Sequence, residues 1–110
     1  MFLTALVGGN TPLQTVAKFS ELAAGQGKMV QVNGKAIGLF KVGDNVYAID
    51  GTCLHRGGPV GEGELNGTTV TCPLHGWQYD VTTGQFKFNP SVKLNTYKVE
   101  IEGDEVKVEA

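Results

Sequence analysis

Tyr97-Lys98-Val99-Glu100-Ile101-Glu102, Gly103-Asp104 and Glu105-Val106-Lys107-Val108-Glu109 form the stretch whose reading sets the fold class. Tyr97, Val99 and Ile101 alternate with Lys98, Glu100 and Glu102, the two-residue period of a strand buried on one face. Gly103-Asp104 predicts the turn that folds the second segment back on the first. Upstream the same pattern recurs. Asn33-Gly34 separates Met29–Val32 from Ala36–Val42 and supplies the positive φ angles of a two-residue hairpin. Gly43-Asp44-Asn45 turns into Val46–Ile49, and Asn66-Gly67 precedes Thr68–Cys72. The one helical candidate, Ser20-Glu21-Leu22-Ala23-Ala24, stops at Gly25 and is one turn long. These signals predict an all-β fold, a small antiparallel sandwich or barrel.

The chain has 110 residues, the size of one domain spanning 1–110. Nine basic and eleven acidic residues give a net charge of -2, which argues against nucleic acid as a partner because phosphate binding needs a basic face. No apolar stretch approaches the roughly 20 residues of a membrane span. Met1-Phe2-Leu3-Thr4-Ala5-Leu6-Val7 has no basic residue before it and is followed by Gly8-Gly9-Asn10, so residues 1–13 are expected to be an N-terminal extension rather than a signal peptide. A cytoplasmic location is the expectation.

The middle of the chain differs from its flanks. Residues 51–84 hold 8 of the 16 glycines, and they also hold both cysteines and both histidines of the whole sequence. These fall in two short groups, Cys53-Leu54-His55 and Cys72-Pro73-Leu74-His75, separated by 16 residues. Glycine-rich loops leave backbone N–H groups free to approach a ligand. The pattern predicts an insert, about residues 50–90, in which two loops close on one metal on a base built by both ends of the chain. Thiolate and imidazole both suit zinc, and two cysteines also permit a disulfide. A zinc finger groups its cysteines and then its histidines, whereas here each loop supplies one of each. Mixed pairs serve a two-iron centre whose irons take different ligands.

Cys53-Leu54-His55-Arg56-Gly57-Gly58-Pro59 and Cys72-Pro73-Leu74-His75-Gly76-Trp77-Gln78-Tyr79-Asp80 resemble the two motifs of Rieske [2Fe–2S] proteins, and the likeness extends from about Val16 to the C-terminus. Thr83-Gly84 and Asn89-Pro90 stand where that family turns and closes a third loop over its cluster. The resemblance implies one Rieske-type [2Fe–2S] cluster, with Cys53 and Cys72 on one iron and His55 and His75 on the other. Two ferric irons, two sulfides and two thiolates cancel, so the oxidised centre is neutral, and an electron enters more easily than in a four-cysteine cluster. High-potential members add a disulfide and a serine hydroxyl beside the cluster. Here Gly58 and Leu74 occupy the disulfide positions and Trp77 the serine position, while Tyr79 keeps the tyrosine that bonds near a cysteine sulfur. A potential low in the family range, below about 0 mV, is expected.

Around the motifs, Gly57, Gly58 and Gly76 are expected to turn amides toward the sulfurs, and Pro59, Pro73 and Pro90 to stiffen and shield the loops. Trp77 is read as packing between loops and base, and Phe86 with Phe88 as same-face residues of a short strand. Asp80, Glu62 and Glu64 read as solvated loop charges, and Arg56 as a charge beside a ligand. Oxygenases of the family also need a mononuclear iron held by two histidines and a carboxylate. With both histidines committed, the resemblance implies an electron carrier with no catalytic site. Such a carrier passes electrons from a flavin-dependent reductase to a terminal oxygenase. The alternative is a small redox subunit of a larger enzyme such as assimilatory nitrite reductase.

Overall fold

Asn33 and Gly34 carry φ angles of +52° and +80°, the left-handed pair that a two-residue hairpin of matching twist requires. In this computed structural model, which describes residues 13–54, 57–74 and 76–110, that turn joins β2 (Lys28–Val32) to β3 (Lys35–Val42). The expected N-terminal extension lies almost wholly outside the described residues; its last position, Leu13, opens β1 (Leu13–Lys18). A 3₁₀ turn, Phe19–Glu21, takes the place of the expected helical turn. It is pinned by Asp104, whose carboxylate accepts from Ser20 N at 2.9 Å and Ser20 Oγ at 2.8 Å.

β4 (Asn45–Asp50), β10 (Thr96–Glu102) and β11 (Glu105–Glu109) complete a six-stranded antiparallel sheet in the order β1-β11-β10-β4-β3-β2. The sheet curls until its edges nearly meet: Gln14 Nε2 donates to Asn33 Oδ1 at 3.1 Å, and Asn33 Nδ2 donates to the Ala110 carbonyl at 2.8 Å. Between β4 and β10 the chain builds a second sheet, β5 (Glu64–Asn66), β6 (Thr69–Thr71), β7 (Gln78–Asp80), β8 (Gln85–Phe86) and β9 (Asn89–Lys93), paired in that order. The fold is all-β, an antiparallel barrel base carrying a smaller sheet with the two cysteines in loops beside it.

β3 and β4 are buried on both faces. Successive residues point to opposite sides of a strand. Ile37 and Leu39 therefore enter one core with Val46, Ala48, Val106 and Val108. Phe40 and Ile49 enter a second core with Cys53, Val60, Val70, Cys72 and Tyr79. The apolar run Ile37–Phe40 thus lies between the two cores.

Two expectations change. Ile101 is exposed although Val99 on the same face is partly buried and Val106, the cross-strand partner of Ile101, is fully buried; it stands near the strand's end, beside the Gly103-Asp104 turn. Phe88 is 78% exposed rather than packed in a strand, because Lys87 and Phe88 form the turn between Phe86 and its partner Asn89.

Candidate metal centre

Each cysteine opens a loop closed by the same two backbone bonds. Cys53 N donates to the Gly58 carbonyl at 2.7 Å, and Gly57 N donates back to the Cys53 carbonyl at 3.1 Å. Cys72 N donates to the Trp77 carbonyl at 2.8 Å, and Gly76 N donates back to the Cys72 carbonyl at 3.0 Å. Gly57 and Gly76 hold the equivalent place, with φ of +69° and +78°, a conformation that disfavours side chains. The frame is shared although the motifs differ: His55 is the third residue of its loop and His75 the fourth. His55, Arg56 and His75 themselves lie outside the described residues.

Cys53 and Cys72 are both buried thiols, 3% and 1% exposed, in the same core. Gly58 of the first loop packs on the sulfur of the second: a Cβ there would stand 2.7 Å from Cys72 Sγ and 2.9 Å from Leu74 Cβ. Tyr79 follows the second loop and bonds to the first. Its hydroxyl oxygen accepts from Leu54 N at 3.2 Å and lies 3.3 Å from Cys53 Sγ. Burial, and then the Cys53 hydrogen bond, raise the Tyr79 phenol well above its ordinary range, so it stays a proton donor. Phe86 tilts against Tyr79 at 5.6 Å and stacks on Trp77 at 4.2 Å, so Trp77 is held within the insert sheet.

Other expected residues fall into structural places. Asp80 builds a turn, its Oδ1 accepting from Thr82 N at 2.8 Å and Thr82 Oγ1 at 2.6 Å. Glu62, Glu64, Pro59, Pro73 and Pro90 are exposed, and Pro90 sits on β9. Sequence reading missed a clamp under the Cys53 loop. Asp50 accepts from Tyr97 OH at 2.5 Å and from Asn95 N at 2.9 Å, tying the end of β4 to the start of β10. Burial, and then the Asp50 bond, push the Tyr97 phenol up to about 12. No local signal announces a pair 47 residues apart.

The donor chemistry suits a soft iron centre: two buried sulfurs on matched loops, a phenol donor on one and an absent side chain over the other. Thiolates buried in an apolar core need such compensation of their charge.

Comparison with known proteins agrees. The family model for the Rieske [2Fe-2S] domain matches residues 13–98. The ferredoxin component of a naphthalene 1,2-dioxygenase system from Pseudomonas aeruginosa is 36% identical over 90 residues, covering 81% of this chain and 86% of its own. The ferredoxin of carbazole 1,9a-dioxygenase from Nocardioides aromaticivorans IC177 superposes with a TM-score of 0.82 at 28% identity, over 89% of this chain and 97% of its own. A carbazole 1,9a-dioxygenase chain solved as a complex of reduced oxygenase and oxidized ferredoxin matches at 31% identity, with a TM-score of 0.79, over 88% of this chain and 92% of its own. Paired cysteine loops, their buried sulfurs and the domain match converge: this chain belongs to the Rieske [2Fe–2S] domain family and carries a single cluster of that type.

Proposed function

We propose that this chain is a one-electron carrier in which Cys53 and Cys72 hold one iron and His55 and His75 the other. The observation that carries the reading is the pair of matched loops, each presenting a buried cysteine sulfur within one core. When bound, the cluster supplies storage for one electron at little structural cost. The protein's own residues do the rest. The Cys53 and Cys72 loops fix two sulfurs in an apolar core that excludes water, Tyr79 donates toward Cys53 Sγ, and Gly58 keeps the space above Cys72 clear.

The whole chain acts as one domain, with a cluster-bearing insert of about 50–90. Relatives named as ferredoxin components of dioxygenase systems, and a match to a ferredoxin–oxygenase complex, support a terminal oxygenase as the electron acceptor; a flavin-dependent reductase as the donor and a cytoplasmic location complete the proposal. Among the described residues no helix is long and apolar enough to cross a membrane.

Protein purified anaerobically is expected to hold about two irons and two sulfides per chain, with a midpoint below about 0 mV. Cys53→Ser, Cys72→Ser, His55→Ala and His75→Ala should each abolish the visible iron–sulfur absorption. Colourless zinc protein overturns the reading, and a midpoint above about +200 mV overturns the low-potential expectation. For the partners, product formation by a reconstituted reductase and oxygenase should depend on this protein.

A further inference from the structure

The chain contains two Asn-Gly pairs, Asn33-Gly34 and Asn66-Gly67, and the structure holds their carboxamides differently. In both pairs the glycine is exposed and has a positive φ, and a Cβ on it would meet no heavy atom within 4 Å beyond its chain neighbours. The Asn33 carboxamide is fixed at both ends: its Oδ1 accepts from Gln14 Nε2 at 3.1 Å and its Nδ2 donates to the Ala110 carbonyl at 2.8 Å. Asn66, the last residue of β5, is exposed, and its carboxamide makes no hydrogen bond among the described residues. Asparagine is a thermolabile residue, and a following glycine hinders attack on its side chain least. The hairpin that Asn66-Gly67 turns is also the link between the two cysteine loops, since β6 (Thr69–Thr71) runs directly into Cys72. Its ladder pairs Asn66 with Thr69 and Leu65 with Val70, and Leu65 and Val70 are buried in the core that holds both cysteines.

We propose that Asn66-Gly67 is a self-modifying site, at which deamidation to isoaspartate limits the lifetime of the cluster. Gly67 N, its proton lost to solvent hydroxide, attacks Asn66 Cγ. The new carbon–nitrogen bond closes a succinimide ring, the bond from Cγ to the amide nitrogen breaks, and that nitrogen leaves as ammonia. Water then opens the ring at either carbonyl, giving aspartate or isoaspartate. Water is the one co-reactant, and nothing is oxidised or reduced. In isoaspartate the main chain runs through the side-chain carbon, which inserts an extra backbone atom at the end of β5. The Asn66–Thr69 pairing then cannot be kept in register with Leu65–Val70, and the core under both sulfurs loosens. This consequence for the cluster rests on the electron-carrier reading above. At Asn33 two hydrogen bonds must be given up before the carboxamide can turn to Gly34 N, which slows the same reaction about 10–100-fold.

The test ages the wild-type holoprotein in warm, mildly alkaline buffer. Peptide mapping by mass spectrometry locates the amide-to-acid mass gain, and isoaspartyl methyltransferase with labelled S-adenosylmethionine marks isoaspartate. Both signals should appear at Asn66, with Asn33 lagging about 10–100-fold. Asn66→Gln, whose longer side chain must close a less favourable ring, should show neither signal at this position. Iron–sulfur absorption should decay faster in aged wild type than in aged Asn66→Gln. Fresh Asn66→Asp, which has the carboxylate but an unaltered backbone, should hold its absorption as fresh wild type does. An unmodified Asn66, or an Asn33 that converts as fast, overturns the site. Equal cluster retention in aged wild type and aged Asn66→Gln overturns its effect on lifetime. Fresh wild-type protein without iron–sulfur absorption refutes the electron-carrier reading instead, and the mass measurement still decides the site.

Discussion

Tyr79 shows how much one hydroxyl contributes at this site. It is fully buried on β7, yet it reaches the other loop, accepting from Leu54 N and facing Cys53 Sγ at 3.3 Å. With Leu54 donating into the phenol oxygen, the phenol proton is left for the sulfur. A hydrogen bond to a thiolate favours the reduced, more negative state. Removing a bond worth about 0.5–1.5 kcal/mol corresponds to about 20–60 mV for a one-electron couple. Tyr79→Phe should therefore lower the midpoint by that amount and leave the fold intact, since the ring keeps its packing on Phe86. A spectroelectrochemical titration with an unchanged midpoint would refute it. The motif placed a tyrosine near a cysteine sulfur; which cysteine it serves, and its second bond to Leu54, required the fold.

At the scale of elements, the weak join is between β4 and β10. Their ladder holds only Thr96 against Ile49 and Tyr97 against Ala48, and the Asp50 clamp extends it to the foot of the Cys53 loop. The folded Tyr97 phenol, at about 12, lies above the ordinary tyrosine value. Its contribution is therefore complete below about pH 10 and is lost as the pH rises from there through about 12. Tyr97→Phe should reduce stability at pH 8 by about 1–2 kcal/mol, from a hydrogen bond to a charged acceptor. The gap from wild type should close toward pH 12 in parallel thermal melts. A gap that persists there would rule out the phenol–carboxylate bond as its source. The turns that organise the other strands were legible, because Asn-Gly and Gly-Asp act within a few residues. The Phe86–Phe88 alternation misled because a two-residue turn interrupts it.

The whole molecule depends on how closely its two sheets approach. Gly38 on β3 faces Gly61, within the 3₁₀ turn Val60–Glu62, where a Cβ would lie 2.6 Å from Gly61 Cα and 2.9 Å from the Phe40 ring. Gly61 N also donates to the Gly51 carbonyl at 3.0 Å, so the same contact anchors both feet of the Cys53 loop. Gly38→Ala must push backbone apart, a strain of about 1–3 kcal/mol. It should shift urea unfolding to lower concentration and speed loss of the iron–sulfur absorption together. Destabilisation with cluster retention unchanged would mean that the seam does not support the loop.

The sequence by itself determined the all-β class, the hairpins and the complete inventory of cysteine and histidine. Strand periodicity, turn chemistry and ligand type are properties of neighbouring residues, and these can be read along one chain. Only the tertiary structure decided that β3 and β4 are buried on both faces, that Gly58 lies on the Cys72 sulfur and that Asp50 is clamped by Tyr97. Each of those contacts joins segments whose spacing is set by packing and chain closure. No local preference couples them until the two sheets have met.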